Sequence, residues 1–411
     1  MDMPAAPSIV LGYPEAAALV QSHIGSLAST PRPVESVPLQ EASGRVLATP
    51  VTADRDQPPF PRSTRDGFAC RAAELRAGSL QIAGLLRAGQ PWSGGGLPAG
   101  RAIEIMTGAA VPPGADCVVM LEHVAVSQDQ VSLAQGKTIS SGENIVPAGS
   151  EASTGDVVIP SGVRLGPSHI AAAAACGNST LQVFSRPRVA ILATGDELVE
   201  PSVTPLPHQI RNSNSFSLAA QVAAAGGAPE ILPVVPDDPA LTQDAITRAS
   251  QSDLILLTGG VSMGKFDFVE QALLALGAEF FFTGVRIQPG KPTVFGKLPG
   301  PFFFGLPGNP ISTMVTCALF AAPLLRAIGG EADAAPCFCQ ASLAEEVAVQ
   351  PGLTRFLPAC LEPGFTGTRI RRIPWQGSGD LAAAARANAF LVVPESADRL
   401  APGEIVSALL L

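Results

Sequence analysis

The feature that most constrains the fold is an alternation of strand-like and helix-like segments between residues 188 and 329. Unbroken apolar runs such as RVAILAT and DLILLTGG are typical of strands buried on both faces of a sheet. Between them lie segments such as SNSFSLAAQVAAAGG, which begins with serine and asparagine and ends in glycine, as helices often do. The alternation predicts a mostly parallel sheet covered by helices on both faces.

The flanking sequence has a different character. Short β-like runs separated by glycine and proline predict a small all-β module in residues 66–140 and a compact β domain in residues 336–411. Helical spacing predicts helices over residues 12–29 and 167–176. With 411 residues, the chain is long enough for about two to four domains. The predicted fold class is therefore a multidomain α/β plus β protein.

Composition narrows the class of function. Apolar residues make up 46% of the chain and charged residues 15%, which predicts large folded cores. The net charge is −9 without a basic run, so we expect no nucleic-acid partner. No isolated apolar span or signal-peptide pattern is visible, so we expect no membrane association and a cytoplasmic location. The seven scattered cysteines predict reduced thiols, and the four histidines lack zinc-site spacing.

Glycine-rich polar turns follow four of the predicted strands. Glycine lets the backbone approach a ligand closely, and free amides at helix N-termini bind phosphate. Because the carboxyl ends of parallel strands meet at one edge, we expect these turns to form a site for an anionic, phosphate-bearing ligand. Each turn taken alone could equally be an ordinary strand–helix connection. The candidate ligand-binding residues are Thr194, Gly195, Gly259, Gly260, Ser262, Gly264, Pro289, Gly290, Pro292, Pro307, Gly308 and Asn309.

Three carboxylates lie within these turns: Asp196, Glu197 and Asp267. Carboxylates beside a phosphate repel it unless a divalent cation intervenes, and Mg²⁺ binds through one or two carboxylates plus substrate phosphates. The pattern therefore predicts a Mg²⁺ bridge at Asp196 and Asp267, and Glu197 is a third candidate ligand. Helix and turn capping by the aspartates is the alternative, and both roles can coexist.

Eight blocks, in order along the chain, resemble the signatures of the molybdopterin molybdenumtransferase family, which includes MoeA and the E domain of gephyrin. One short block would be weak, but eight ordered blocks over about the whole chain are specific. They are PPFPRSTRDGFA (58–69), IMTGAAVPPGADCVV (105–119), GENIVPAGSEASTGDVV (142–158), TGDEL, LTGGVSMGKFD, PGKP, GLPGNPIS and GSGDLAAAARANAFLVVPE (377–395).

The resemblance implies four domains. Residues 1–52 and 142–186 would form an elongated N-terminal domain, and residues 53–141 an inserted β domain. Residues 187–330 would form a MogA-like α/β domain that binds molybdopterin, and residues 331–411 a C-terminal β domain. The resemblance also implies a homodimer, with the site between the α/β domain of one subunit and parts of the other.

The implied activity is Mg²⁺-dependent insertion of molybdate into adenylated molybdopterin (molybdopterin-AMP), with release of AMP. Carried over by matching position, the implied catalytic residues are Asp66, Thr107, Glu197, Asp267 and Lys291. Carboxylates can hold Mg²⁺ on a phosphoanhydride, and lysine can stabilise anionic oxygens. Taken alone, Asp66 could be only a turn residue and Thr107 only a strand end.

The resemblance also implies an anion contact from Ser378 and Gly379 of the C-terminal domain, which could otherwise be a plain loop. Asp66 and the Ser378 loop are expected to reach the α/β domain across a dimer. Molybdoenzyme clients or their chaperones are further partners that the family implies.

Several positions depart from the family pattern. Arg65 stands where methionine is frequent, and Gln288 where a lysine is frequent. Glu151 replaces an aspartate, and Leu353 replaces an arginine, with Arg355 two residues on. These changes leave two alternatives open: a paralogue that binds, modifies or delivers molybdopterin or its molybdenum cofactor, and a gephyrin-like scaffold.

Overall fold

The structure, a computed structural model, describes residues 8–27, 30–259 and 268–411. The first helix begins after Gly12, whose N–H donates to Glu15 Oε2 at 2.8 Å, and has proline in its first turn. This confirms the predicted N-terminal helix as far as residue 26. The elements of residues 8–63 are β1 (Val10–Leu11), α1 (Tyr13–Ser26), β2 (Val34–Pro38), β3 (Val51–Thr52) and β4 (Arg62–Ser63).

A six-stranded sheet follows, with the strand order β8-β5-β7-β6-β10-β9. Separate apolar clusters cover its two faces, as the alternation of side chains along a strand requires. The predicted all-β module differs in one respect, because AAELRA is rich in helix formers and folds as a short helix. The elements are β5 (Gly67–Cys70), α2 (Ala72–Ala77), β6 (Leu80–Leu86), β7 (Arg101–Ile105), β8 (Cys117–Met120), β9 (Val124–Ser127) and β10 (Gln130–Leu133).

The next segment returns to the N-terminal strands. Its elements are β11 (Ile145–Val146), β12 (Val157–Ile159), α3 (Pro167–Ala175) and β13 (Thr180–Phe184). Strands β11, β12 and β13 pair antiparallel with β4, β3 and β2. The six-stranded sheet therefore lies, in sequence, between two segments that pair with each other. The domain boundaries given above stay predictions.

The α/β part contains a six-stranded sheet of order β17-β14-β18-β23-β22-β19. Strands β17, β14, β18 and β23 are mutually parallel, and β22 runs antiparallel to β23, so the prediction of a mostly parallel sheet is confirmed. The elements are β14 (Arg188–Ala193), β15 (Leu198–Val199), β16 (Ile210–Arg211), α4 (Asn214–Ala224), β17 (Ala228–Ile231), α5 (Pro239–Ala249), β18 (Leu254–Thr258), α6 (Phe268–Ala275), β19 (Glu279–Phe282), β20 (Gly284–Val285), β21 (Ile287–Gln288), β22 (Val294–Lys297), β23 (Phe302–Leu306), α7 (Pro310–Thr316) and α8 (Ala322–Ile328).

Helices cover both faces of this sheet. Along β14, Val189 and Ile191 join a core with α1, α4, α7 and α8, whereas Ala190 and Leu192 join a core with α5 and α6. A π-helical turn links α7 to α8 in one helix, Pro310–Ile328. By length and composition this helix could cross a membrane, but 72% of its most apolar window is buried, so it is a core helix of this fold.

The C-terminal strands form a closed barrel. Strands β26, β27, β24, β30 and β28 pair in that order, and β28 pairs back to β26. This confirms the predicted β domain, to which one short helix is added. The elements are β24 (Phe338–Leu343), β25 (Val347–Ala348), β26 (Thr354–Gly364), β27 (Gly367–Arg372), α9 (Leu381–Ala384), β28 (Ala389–Val393), β29 (Arg399–Leu400) and β30 (Ile405–Leu410).

The mainly apolar run FFTGVRI (residues 281–287) is divided between three pairings. Strand β19 lies at the edge of the α/β sheet, β20 pairs in parallel with β1, and β21 pairs in parallel with β26 of the barrel. A chain that leaves a sheet edge must satisfy its backbone groups elsewhere, and these two short pairings do so. Strand β21 thereby ties the α/β part to the C-terminal barrel.

Candidate functional site

A cavity of about 560 Å³ lies at the carboxyl edge of the parallel strands. Loops that follow β14, β18 and β23 build it, together with the β15–β16 segment and the loop before α9. This is the edge at which ligands bind in open α/β sheets. The wall consists of Thr194, Glu197, Leu198, Pro205, Gln209, Ile210, Arg211, Asn212, Ser213, Asn214, Thr258, Gly259, Gly308, Asn309, Pro310, Gly379 and Leu381.

The structure brings several of the predicted residues together on this wall. They are Thr194, Glu197, Gly259, Gly308, Asn309 and Gly379. Gly259 has a φ of +85°, and a β-carbon there would lie 2.5 Å from the carbonyl oxygen of Thr194. Only glycine therefore fits at the end of β18, which lets neighbouring loops close over the strand ends.

Hydrogen bonds fix the floor of the cavity. Asn214 Nδ2, at the start of α4, donates to Thr258 Oγ1 at 3.0 Å and to the Gly308 carbonyl at 2.7 Å. Thr258 Oγ1 donates in turn to the Pro307 carbonyl at 3.4 Å. Within the described residues, the buried Oγ1 of Thr194 has no hydrogen-bond partner. A buried hydroxyl without a partner is rare in a folded protein.

One wall is a short parallel ladder between β15 and β16. The N–H of Ile210 donates to the Glu197 carbonyl at 2.8 Å, and the N–H of Asn212 donates to the Val199 carbonyl at 2.9 Å. The ladder brings the backbone segments of Glu197 and Arg211 next to each other, and both residues line the cavity. Neither side chain forms an ion pair in the part of the chain that the structure describes, so both charges can act on a ligand.

The turn after β14 separates the two neighbouring acids. The Glu197 carboxylate folds over Gly195, where a β-carbon would lie 2.5 Å from Oε2, and Gly195 has a φ of +141°. Asp196 is instead directed towards the start of the α5 segment, where its Oδ1 accepts the N–H of Asp237 at 3.2 Å. Glu197 lines the cavity and Asp196 does not.

The Pro289–Pro292 turn lies at the same sheet edge, because Val294 at the start of β22 pairs with Gly305 near the end of β23. Its glycine nevertheless faces the protein. A β-carbon on Gly290 would lie 2.5 Å from Thr316 Cγ2, and Gly290 has a φ of +115°. Within the described residues, no member of this turn lines the cavity. The turn is Pro289, Gly290, Lys291 and Pro292, with Pro289 and Gly290 buried and Lys291 exposed.

The loop before α9 reaches the cavity from the same chain. The Ser378 carbonyl accepts the N–H of Ile311 at 2.9 Å, in the first turn of α7. Asp380 shapes the loop, since its Oδ1 accepts the N–H of Ala383 at 3.0 Å and its Oδ2 accepts the N–H of Gln376 at 3.0 Å. These N–H groups, that of Ala383 first, lower the pKa of Asp380. The expectation that this loop arrives across a dimer is therefore wrong, because the contact forms within one chain.

Asp66 and Thr107 contact each other at one end of the sheet of β5–β10, just before β5 begins and just after β7 ends. Asp66 Oδ1 accepts the Thr107 N–H at 2.6 Å and the Thr107 hydroxyl at 2.9 Å. The backbone N–H first, and then the hydroxyl, lower the pKa of Asp66, so it stays a carboxylate at moderately acidic pH. Both side chains are exposed, and neither lines the cavity of its own chain.

One of the departures from the family pattern, Gln288, has an arginine beside it. Gln288 of β21 pairs with Arg355 of β26 in the parallel ladder, so an arginine stands beside the position where a lysine is frequent. Glu151 forms an exposed ion pair with Arg62 at 2.6 Å. Arg65 is exposed next to Asp66, and its carbonyl accepts the Ser63 hydroxyl at 2.6 Å.

Only part of the predicted Mg²⁺ donor set lies within the described residues. No group of three His, Cys, Asp or Glu side chains able to hold a metal occurs among the described residues. Glu197 supplies one carboxylate without an ion-pair partner there, which fits a cation completed by substrate phosphates. Four predicted residues lie outside the described residues: Gly260, Ser262, Gly264 and Asp267.

Sequence reasoning missed the segment that leads into α4. Arg211, Asn212, Ser213 and Asn214 all line the cavity. A signal was present, because serine and asparagine before an amphipathic helix mark its N-terminus, where free amides gather. The helix start was predicted, but its position at the strand ends depends on the β15–β16 ladder.

Comparison with protein-family profiles gives three matches in order along the chain. Residues 11–177 match the MoeA N-terminal region (domain I and II), residues 190–327 match the probable molybdopterin binding domain, and residues 340–411 match the MoeA C-terminal region (domain IV).

The chain is also similar to named proteins over nearly its whole length. It is 34% identical to the molybdopterin molybdenumtransferase of Synechococcus elongatus over 96% of this chain and 98% of that protein. It is 32% identical to that of Bacillus subtilis over 92% of this chain and 90% of that protein. The crystal structure of a molybdopterin biosynthesis MoeA protein from Pyrococcus horikoshii superposes with a TM-score of 0.81, at 29% identity, covering 98% of this chain and 100% of that chain.

Proposed function

This chain belongs to the molybdopterin molybdenumtransferase (MoeA) family and acts in molybdenum cofactor biosynthesis, and from that premise we propose how its cavity works. The cavity binds adenylated molybdopterin, molybdate is inserted at the pterin dithiolene, and AMP is released. The observation that carries this assignment is the cavity at the carboxyl edge of β14, β18 and β23, whose wall holds Glu197 and Arg211 without ion pairs in the described part of the chain.

The wall suits a ligand that is polar at one end and flat in the middle. Thr194 lies on the cavity wall, and its buried hydroxyl has no partner among the described residues. Leu198, Ile210 and Leu381 give apolar surface that a planar heterocycle can cover. Backbone amides at the starts of α4 and α7 favour negative charge nearby.

Mg²⁺ would be held by Glu197 together with Asp267, and it would reduce the negative charge on the phosphoanhydride oxygens. Asp196 is a weaker candidate, because its Oδ1 already accepts the Asp237 N–H. Replacing Asp267 with asparagine should leave the fold intact and lower Mg²⁺-dependent turnover. An unchanged rate at limiting Mg²⁺ would remove Asp267 from the site.

A homodimer would complete the site. The Asp66–Thr107 pair is exposed and absent from the cavity wall of its own chain, although the family resemblance gives both residues a catalytic role. A second subunit can bring this pair to the mouth of the cavity, whereas Ser378 and Gly379 come from the same subunit. Lys291, exposed at the same sheet edge, would add a point charge for anionic oxygens.

Turnover tests the activity. The purified protein is incubated with adenylated molybdopterin, Mg²⁺ and molybdate, and AMP is followed. We expect AMP release that depends on molybdate and that Glu197→Gln strongly reduces. No AMP above a blank, under conditions in which another member of the family works, would contradict the proposal.

Subunit mixing tests the shared site. Asp66→Asn and Glu197→Gln are each expected to be nearly inactive. After the two variants are unfolded and refolded together, about a quarter of the sites should combine intact residues from two subunits and recover activity. A mixture as inactive as its components would place both residues in one subunit's site.

The molybdenumtransferase activity is preferred to a binding-only or scaffold role. Arg355 beside Gln288 supports this choice, because it keeps a positive charge near the position of the missing lysine. We also propose a cytoplasmic location, where the reduced state expected of the seven cysteines would be maintained. Rescue of a strain that lacks its own transferase would support the activity in cells.

A further inference from the structure

The charged side chains of the cavity wall are few. Within the described residues, Arg211 is the only basic side chain on the wall and Glu197 is the only acidic one. An anionic ligand in this cavity therefore has one guanidinium within the wall itself. Lys291 and Arg355 are elsewhere, since neither lines the cavity.

Arg211 is held in place while leaving most of its donors free. Its Nε donates to the Val203 carbonyl at 3.1 Å, which fixes the plane of the guanidinium. Its two terminal nitrogens have no hydrogen-bond partner in the described chain, and Arg211 forms no ion pair there. The backbone is fixed too, because Arg211 pairs with Val199 in the β15–β16 ladder. A tethered guanidinium with two free nitrogens can bind a phosphate in a bidentate manner.

We propose that Arg211 is a phosphate-binding residue for the nucleotide half of the substrate. The proposal rests on the proposed function and deepens it by assigning the outer end of the cavity. Arg211 is exposed at the rim beside Ile210, which is 58% exposed, and the half-buried Pro205. Accessible apolar side chains beside a phosphate-binding arginine suit a planar base, so the adenylate lies at the rim and the pterin lies over the floor.

The position of Arg211 at the rim favours binding of the adenylate phosphate over binding of molybdate. Molybdate must reach the dithiolene of the pterin, which would lie further in, over the floor formed by Thr194 and Asn214. An exposed arginine that simply points into solvent is the ordinary alternative. That alternative does not account for the bond from Nε to the Val203 carbonyl or for the place of the guanidinium on the cavity wall. It also predicts that replacing Arg211 has no effect on ligand binding.

Binding of AMP by the full-length protein tests the proposal, with adenosine and molybdate as separate probes. Arg211→Gln should weaken AMP binding by about tenfold or more, because it removes a charge-assisted bidentate contact. Adenosine binding should change little. Arg211→Lys should recover part of the loss, because it restores the charge without the fork. The affinity of the wild type should fall with added salt, more steeply than that of Arg211→Gln.

Arg248→Gln is the matched control. Arg248 is an exposed arginine on α5 that pairs with Asp244 at 3.0 Å and is absent from the cavity wall. The control should bind AMP like the wild type. Equal AMP affinity in Arg211→Gln, or an equal loss for AMP and adenosine, overturns the proposal. Selective loss of molybdate binding would also overturn it, because it would assign the guanidinium to the other anion.

The proposal and the proposed function can fail separately. AMP binding decides the role of Arg211, and release of AMP from adenylated molybdopterin by the wild-type protein decides the activity. A wild type that binds AMP through Arg211 but never turns over would contradict the activity alone. A wild type that turns over but whose AMP binding ignores Arg211 would contradict the inference alone.

Discussion

Gly290 and Gly308 are both glycines of the predicted ligand loops, and the structure predicts opposite consequences for replacing them with alanine. Gly290 is buried with a φ of +115°, and its β-carbon would lie 2.5 Å from Thr316 Cγ2. Thr316 cannot easily rotate away, because its hydroxyl is bonded to the Ser312 carbonyl at 2.8 Å. Gly290→Ala therefore disturbs the packing of the turn against α7.

The expected cost of Gly290→Ala follows from two terms. A positive φ costs an ordinary residue about 1–2 kcal/mol, and overpacking a core costs about 1–3 kcal/mol. We expect the free energy of unfolding to fall by about 2–5 kcal/mol in total. Gly308 has no positive φ, and among the described residues the nearest atom to its β-carbon would be Gly259 Cα at 3.8 Å. Gly308→Ala should change stability by less than about 0.5 kcal/mol, but its methyl group enters the cavity wall and should weaken substrate binding.

Urea unfolding and turnover measure the two effects. Trp375 packs against the cores of both the α/β part and the barrel, so its fluorescence reports on the unfolding of these two cores. Gly290→Ala should shift the unfolding midpoint, whereas Gly308→Ala should keep the midpoint and raise the KM. A Gly290→Ala protein with the wild-type midpoint and impaired substrate binding would refute this reasoning, because the turn would then face the ligand.

Three further predictions concern single side chains. Thr107→Val removes only the hydroxyl donor, so the pKa of Asp66 should rise part of the way to its ordinary value in a carboxyl NMR titration; an unchanged pKa would contradict the contact. Burial lowers the pKa of His23, whose ring lies 4.2 Å from that of Phe281, so stability is full above the ordinary pKa of 6.5 and is lost as pH falls below it. His23→Phe should flatten the dependence of the unfolding midpoint on pH between 5 and 7, and an unchanged slope would assign it to other groups. Asn214→Asp replaces the donor that links Thr258 to the loop after β23, and should lower the free energy of unfolding by about 1–3 kcal/mol in urea titrations; an unchanged value would contradict that role.

The architecture was predictable because its signals are local. Mainly apolar runs of six and five residues, each followed by a glycine-containing turn, marked β14 and β18, and capping residues marked the helices between them. Parallel strands end at one edge, so the meeting of Thr194, Gly259 and Gly308 followed from the pattern.

The remaining features depend on contacts between distant segments. Strands β15 and β16 are two residues long, too short to show a periodicity, so the place of Arg211 on the wall could not be predicted. The direction of Gly290 depends on α7, and the division of FFTGVRI depends on β1 and β26. The path of the Ser378 loop within one chain likewise required the tertiary structure.

Because the Ser378 carbonyl accepts the Ile311 N–H, the C-terminal barrel of a relative could not simply replace the barrel of this chain. A barrel transplanted from another protein would leave that N–H without its acceptor unless the new loop had the same length and path. It would also move Gly379 and Leu381, and with them one side of the cavity. The loop between β27 and α9 and the first turn of α7 must therefore change together in evolution, although about 65 residues separate them in sequence.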